Sequence, residues 1–142
     1  VAGDETALHY LSFLSGHKSF GPRSEWRPSD APFAEARRQL DAYFAGDLRD
    51  FTLPLDPSGT AFQLSVWHML TTIPFGQTRT YGQIATALQR PKASRAVGAA
   101  NGANPLPILL PGHRLIGSTG ALTGFGGGLE VKRFLLRHEG AL

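Results

Sequence analysis

The spacing of apolar residues along the first third of the chain predicts a strand, a helix and an extended segment. Residues 6–14 (TALHYLSFL) mix aromatic and aliphatic side chains with partial alternation, which is typical of a β-strand. Residues 31–46 predict a helix that Gly46 is placed to end, with an apolar face made of Phe33, Ala36, Leu40 and Phe44. Residues 50–56 (DFTLPLD) predict a short extended segment.

The pattern in the rest of the chain is mainly helical. Two Thr–Gln pairs, Thr60 with Gln63 and Thr80 with Gln83, have the spacing of capping boxes and predict the starts of two helices. The first of these helices has an apolar face made of Phe62, Val66, Trp67 and Leu70. Beyond the turn QRPKA, Ser94 is placed to cap the helix RAVGAANGA, and LEVKRFLLRHE predicts a last helix that Gly140 ends.

These elements predict an α+β fold in two parts. Residues 1–56 are expected to form a small N-terminal α/β part, and residues 57–142 a mainly helical domain. The boundary is placed at the DPSG stretch, where the charge balance also changes. Within the second domain, YGQIATAL, the basic turn and RAVGAANGA have the order of a helix-turn-helix DNA-binding element.

Charge is divided unevenly between the two parts. Residues 1–60 carry six Lys and Arg against nine Asp and Glu, a balance of −3, whereas residues 61–142 carry eight against two, a balance of +6. A basic second half favours nucleic acid as a partner, although a solvated basic surface without a partner explains the balance equally well.

The composition also excludes several kinds of chemistry. The chain has no cysteine, which rules out disulfides, thiolate metal ligands and a thiol nucleophile, and nothing indicates a metal or an organic cofactor. No apolar run approaches the ~20 residues of a membrane span, and the start VAGDETALHYLSF lacks the features of a signal peptide. We therefore expect a cytoplasmic protein that contacts no membrane, associated with the nucleoid in a bacterium or nuclear in a eukaryote.

Three segments carry candidate chemistry. The helix RAVGAANGA is almost bare, so it can approach a nucleic-acid groove or a neighbouring helix closely, and Arg95 at its start could reach phosphates or enter a base stack. His113, after NPLPILLPG, is a candidate general base or proton relay that Glu139 could orient, although a lone histidine is more often structural. The glycine-rich TGFGGG could bring backbone groups against a flat ligand or form a simple turn.

Taken together, these segments resemble the O6-alkylguanine-DNA alkyltransferase family, also called methylated-DNA–protein-cysteine methyltransferases. The resemblance rests on GTAFQLSVWHML, IPFGQTRTYGQIA, RAVGAANGANPLPILLPGHRLIG and LTGFGGGLEVKRFLLRHEG, which cover essentially all of residues 59–140. It extends to QLDAYFAGDLRDFTLPLD, which is similar to the family's linker from its N-terminal domain. Most of that domain's first hairpin is expected to be missing or shortened here.

The family's Pro-Cys-His-Arg signature stands in this chain as Pro-Gly-His-Arg. The resemblance implies that Gly112 occupies the position of the cysteine that accepts the alkyl group from a flipped guanine, and that His113 and Glu139 match the relay that activates it. Glycine offers no nucleophile, so the chain is not expected to perform the family's alkyl transfer. Gly112 is also expected to leave room for a bulkier O6 adduct.

Other family roles carry over position by position. Asn104 matches the asparagine that holds the active-site turn, Tyr81 the tyrosine that rotates the nucleotide, and Arg95 the arginine that fills the gap left in the duplex. The resemblance also implies DNA contacts from Ser94, Ala96, Ala99 and Arg114, and an alkylguanine pocket formed by Gly112, Leu115, Phe125 and Gly126. Phe125 stands where many members have tyrosine, so stacking is retained and a hydroxyl contact is lost.

The leading interpretation is a monomeric, DNA-repair-related protein that binds duplex DNA through the minor groove and flips O6-alkylguanine without repairing it. It is either a natural damage sensor that passes the lesion to other repair proteins, or a repair methyltransferase whose nucleophile has been replaced. Two alternatives stay open. One is a repurposed enzyme that uses His113, Glu139 and Tyr81 as acid–base groups, and the other is a DNA-binding module with no damage preference.

Overall fold

The computed structural model describes residues 2–3, 7–11, 33–122, 125 and 128–142. Strand β1 (Ala2–Gly3) pairs antiparallel with β2 (Leu8–Tyr10). Leu8 also forms a parallel bridge with Leu55, and its N–H donates to the Pro54 carbonyl at 2.8 Å. The strand predicted over residues 6–14 is therefore confirmed over Leu8–Tyr10, and residues 6 and 12–14 lie outside the described residues. The predicted extended segment, residues 50–56, runs beside β2.

Helix α1 (Ala34–Phe44) is followed by Gly46 with φ +85°, so the predicted helix end is confirmed. The predicted apolar face is partly wrong, because the buried residues are Ala36, Gln39 and Tyr43, whereas Phe44 is 43% exposed. Gln39 tolerates burial because its amide donates to Thr52 Oγ1 at 2.9 Å and its carbonyl accepts from the Thr52 N–H at 2.9 Å.

Helix α2 (Ala61–Leu70) begins with the predicted capping box: the Thr60 hydroxyl accepts from the Gln63 N–H at 3.1 Å, and the Gln63 side chain accepts from the Thr60 N–H at 3.0 Å. Its buried side chains are Val66, Trp67 and Leu70. The Trp67 indole N–H donates to the Ala100 carbonyl at 2.8 Å. Trp67 thereby connects α2 to the second helix of the predicted helix-turn-helix.

The predicted helix-turn-helix consists of α3 (Tyr81–Ala87) and α4 (Ser94–Gly102), which pack against each other. The second capping box is confirmed, since the Thr80 hydroxyl accepts from the Gln83 N–H at 3.0 Å. The prediction that Ser94 caps α4 is wrong: Ser94 is the first helical residue, and the cap residue Ala93 offers no side-chain hydrogen bond.

A two-stranded parallel sheet joins the helix-turn-helix to the polar turn of residues 112–114. Strand β3 (Arg79–Thr80) leads into α3, and it pairs with β4 (Leu115–Ile116), which follows that turn. Helix α5 (Leu129–His138) closes the described chain and ends, as predicted, before Gly140 with φ +76°. Among the described residues, no helix is long and apolar enough to cross a membrane.

Candidate functional site

The approach to residue 112 is a buried turn held by one asparagine. The Asn104 amide donates to the Leu110 carbonyl at 2.7 Å, and its oxygen accepts from the Leu106 N–H at 2.8 Å. Within the turn, Ile108 has φ +73°, a left-handed conformation that is strained for a β-branched residue. The turn also receives a backbone hydrogen bond from the N-terminal segment, from the Leu11 N–H to the Pro105 carbonyl at 2.7 Å.

The turn leads into a buried 3₁₀ segment, Gly112–Arg114, whose histidine meets the side-chain carboxylate of Glu139, the residue directly after α5. His113 Nε2 lies 2.8 Å from Glu139 Oε2, and neither side chain is exposed to solvent. The structure therefore brings together the two residues that were predicted to form a relay, although they are far apart in sequence.

Two further residues hold the same carboxylate. Arg114 donates from Nε to Glu139 Oε1 at 2.8 Å and from Nη2 to Oε2 at 2.9 Å, so the pair is bidentate. The Tyr43 hydroxyl on α1 donates to Oε2 at 2.7 Å. Glu139 Oε2 thus accepts from Tyr43 and Arg114 and lies at hydrogen-bond distance from His113.

These contacts determine which atoms carry protons. Burial alone would raise the pKa of Glu139, but hydrogen bonds from His113 and Arg114 lower it to about 2, so the carboxylate is ionised at neutral pH. Burial lowers the pKa of His113, which favours the neutral ring. Because Oε2 is an acceptor, Nε2 carries the ring proton and Nδ1 is the basic atom. Nδ1 is buried and has no hydrogen-bond partner among the described residues.

The space beside Gly112 is partly filled. The Asn101 amide donates to the Gly112 carbonyl at 3.1 Å. A Cβ added at Gly112 would lie 2.5 Å from Asn101 Oδ1 and 3.2 Å from Asn104 Nδ2. The expectation that glycine leaves extra room here is therefore wrong for this conformation, because the Asn101 side chain occupies the direction that a side chain at 112 would take.

Leu115, predicted to line the pocket, is buried and its carbonyl accepts from the Lys132 ammonium. The Lys132 side chain has no exposed surface, and its Nζ lies 5.9 Å from the centre of the Tyr81 ring. Burial lowers the pKa of Lys132 to about 8. An internal amine thus lies between the β4 backbone and the tyrosine at the start of α3.

The residues predicted to contact DNA fall into two groups. Three side chains of α4, Arg95, Ala96 and Ala99, are exposed on a face of small residues, and Tyr81 and Ser94 are half-buried beside it. A Cβ at Gly98 would lie 3.9 Å from the Tyr81 ring, so α4 packs closely against this ring.

Arg114 does not belong to this surface. It is 6% exposed, and besides Glu139 it donates to the Ile73 carbonyl at 2.7 Å. The predicted DNA contact from Arg114 is therefore wrong: its guanidinium neutralises a buried carboxylate and cannot reach phosphates. Phe125 is buried, whereas Gly126 lies outside the described residues.

Three residues of the site did not emerge from the sequence: Tyr43, Asn101 and Lys132. Helical spacing carried a signal for two of them, because Lys132 shares a buried face with Leu135 and Leu136, and Asn101 shares one with Val97. A polar residue on a buried face indicates a specific partner. Tyr43 also shares a buried helix face, with Ala36 and Gln39, but its spacing does not reveal that its hydroxyl meets Glu139, 96 residues away.

Comparison with known proteins places the whole chain in one family. The model of the DNA-binding domain of 6-O-methylguanine DNA methyltransferase matches residues 61–141, and the model of its ribonuclease-like domain matches residues 1–57. The methylated-DNA–protein-cysteine methyltransferase of Methanosarcina acetivorans is 52% identical over 141 residues, which are 99% of this chain and 90% of that protein. The protein of the same name from Mycobacterium leprae is 54% identical over 140 residues, 98% of this chain and 84% of the relative.

Solved structures of related proteins support the same family. Mycobacterium tuberculosis OGT in complex with DNA superposes with a TM-score of 0.91 at 48% identity, covering 99% of this chain and 84% of that one. S. pombe Atl1, bound to damaged DNA containing O6-carboxymethylguanine, superposes with a TM-score of 0.51 at 31% identity, over 56% of this chain and 75% of that one.

The fold is thus that of a DNA-repair methyltransferase, with a small N-terminal domain and a helical DNA-binding domain, and the predicted α+β class is confirmed. The chain belongs to the 6-O-methylguanine DNA methyltransferase family. The 56/57 boundary and the shortening of the N-terminal domain stay predictions.

Proposed function

We propose that the protein binds duplex DNA through the minor groove and holds a flipped O6-alkylguanine without taking up the alkyl group. The observation that carries the proposal is the buried Gly112 beside an ordered His113–Glu139 pair. The general base, His113, is in place, but the neighbouring Gly112 has no side chain that it could deprotonate. We take Gly112 as the position of the family's acceptor cysteine, and the chain has no cysteine to replace it.

The DNA-binding part of the proposal is supported by α4 and by the relatives. The small, exposed face of α4 lets the helix backbone approach a groove closely, and Arg95 projects from the start of that face. OGT of M. tuberculosis has been solved with DNA, and Atl1 with DNA that contains O6-carboxymethylguanine. Neither stacking, edge hydrogen bonds nor an inserted arginine requires a thiol, so recognition can persist without transfer.

Affinity for matched duplexes tests this directly. Fluorescence anisotropy at one fixed salt concentration compares a duplex with guanine and one with O6-methylguanine at the same position. We expect about tenfold tighter binding to the lesion, which corresponds to about 1.4 kcal/mol. Mass spectrometry after incubation should show that the DNA is still alkylated and that the protein mass is unchanged. Arg95→Ala should remove most of the preference, whereas Arg133→Ala, on the exposed surface of α5, should keep it.

The other outcomes identify the alternatives. Equal affinity for both duplexes would mean a DNA-binding module with no damage preference. Dealkylated DNA formed with turnover, and abolished by His113→Ala, would mean a repurposed enzyme. As a positive arm, the thiol of Gly112→Cys should take the methyl group from the lesion and give up its proton to the released guanine, so the protein mass should rise by one CH2. This requires a side-chain rotation of Asn101 that frees the Cβ position. If this variant binds the lesion and stays unalkylated, the residues around position 112 are not poised for transfer.

A further inference from the structure

Glu139 is held from two sides, and one of them is the N-terminal part of the chain. Arg114 and His113 approach from the same 3₁₀ segment, whereas the Tyr43 hydroxyl comes from α1 and meets Oε2 at 2.7 Å. Tyr43 is completely buried. Residue 43 lies in the range matched by the ribonuclease-like domain, and residues 113, 114 and 139 lie in the range matched by the DNA-binding domain.

The surroundings fix Tyr43 in this position. Its backbone carbonyl lies 2.7 Å from His138 Nε2, next to Glu139 in sequence. Its ring lies 5.4 Å from the Phe51 ring, 6.2 Å from the Phe75 ring and 4.9 Å from the His138 ring, measured between centroids. A second backbone contact, from Leu11 to Pro105, joins the N-terminal segment to the turn before Gly112. Packing of the buried ring and these backbone contacts therefore hold the hydroxyl in place.

We propose that Tyr43 is a positioning residue of the His113–Glu139 pair, through which the N-terminal domain keeps His113 neutral with Nδ1 as its basic atom. The hydroxyl competes with His113 for Glu139 Oε2. The Tyr43 hydroxyl, by donating to Oε2, reduces the negative charge on the oxygen that faces the imidazole. The carboxylate then stabilises a protonated His113 less strongly. This role does not depend on alkylguanine binding, since it concerns only the proton equilibrium of one buried ring.

Other charged groups near His113 act in known directions. Glu139 favours the imidazolium, whereas Arg114 and Lys132 oppose it. Removing the Tyr43 hydroxyl leaves all three side chains in the protein and changes only the negative charge on Glu139 Oε2. The phenol itself stays protonated, because burial and the adjacent Glu139 raise the pKa of Tyr43. A change in the His113 titration can therefore be assigned to the lost hydrogen bond.

The test is an NMR titration of the histidine ring nitrogens in the full chain, without DNA. Tyr43→Phe removes only the hydroxyl. We expect the proton affinity of His113 to rise about three- to tenfold, an upward shift of about 0.5 to 1 pH unit in its midpoint. The matched control is Phe51→Leu, which alters the packing against Tyr43 and leaves the hydrogen bond in place. Its His113 midpoint should stay where it is in the native chain.

A second variant covers the case in which Tyr43→Phe does not fold. Site-specific 3-fluorotyrosine at residue 43 keeps the shape and donates more strongly, so the His113 midpoint should move down. Opposite shifts in the two variants establish the role. An unchanged midpoint in a folded Tyr43→Phe chain, or in the fluorotyrosine chain, would overturn it, and so would an equal shift in Phe51→Leu. Lesion affinity is measured separately, so its failure would count against the proposed function alone.

Discussion

Glu139 shows how a buried charge is accommodated at the level of single residues. Its two oxygens accept four hydrogen bonds, two from Arg114, one from Tyr43 and one from His113 Nε2 at 2.8 Å. The guanidinium neutralises the carboxylate, so the imidazole can stay neutral beside it. A lone His–Glu pair would draw a proton onto the ring more strongly. The arginine of the Pro-Gly-His-Arg motif thus acts inside the protein.

Lys132 gives a residue-level prediction about stability and pH. Its pKa is about 8 in the folded chain and about 10.4 in an unfolded one. Between these values the unfolded state binds the extra proton, so the free energy of unfolding rises with pH, by up to about 3 kcal/mol. Lys132→Met should lose this rise between pH 8 and 9.5. Urea unfolding at a series of pH values measures it.

The control for Lys132 is Lys92→Met, which removes an exposed amine in the turn between α3 and α4. This variant should keep the pH dependence of the native chain. Equal slopes in the native chain and in Lys132→Met would show that the buried amine keeps its proton throughout this range.

At the level of elements, the two capping boxes provide a matched pair. Thr60 starts α2 and Thr80 starts α3, with the same reciprocal bonds to Gln63 and Gln83. Thr60→Ala and Thr80→Ala should each lower the free energy of unfolding by about 1 kcal/mol. Only Thr80→Ala should also weaken DNA binding, because Tyr81 is the first residue of α3. Urea unfolding and anisotropy at one salt concentration separate the two effects, and equal losses of affinity would refute this link.

Helix starts and ends could be predicted from the sequence because neighbouring residues determine them. The buried face of a helix could not be predicted where distant partners determine it. Thr–Gln spacing located the starts of α2 and α3, and glycines located the ends of α1 and α5. The buried face of α1 could not be read from hydropathy, because Gln39 and Tyr43 are buried through partners at Thr52 and Glu139. Likewise the resemblance located the His113–Glu139 pair, but Arg114 was assigned to DNA because its motif does not reveal the carboxylate that it meets.

For the whole molecule, the structure changes the meaning of the basic second half. Arg114 and Lys132 are buried, and Arg114 neutralises Glu139, so neither adds to the surface charge that DNA meets. The exposed cations of residues 61–142 divide between the turn and start of α4, with Arg90, Lys92 and Arg95, and the outer face of α5, with Arg133 and Arg137. If DNA lies along α4, only the first group contacts phosphates.

The salt dependence of DNA binding distinguishes the two surfaces. Each phosphate contact that is lost reduces the slope of log K against log salt concentration by about 0.9 for duplex DNA. Lys92→Gln should therefore flatten the slope by about one and weaken damaged and undamaged duplexes alike, because a phosphate contact carries no sequence information. Arg133→Gln should leave the slope unchanged. If Arg133→Gln flattens the slope and Lys92→Gln leaves it unchanged, DNA contacts α5 and not α4. That result would also contradict the proposed insertion of Arg95 into the duplex.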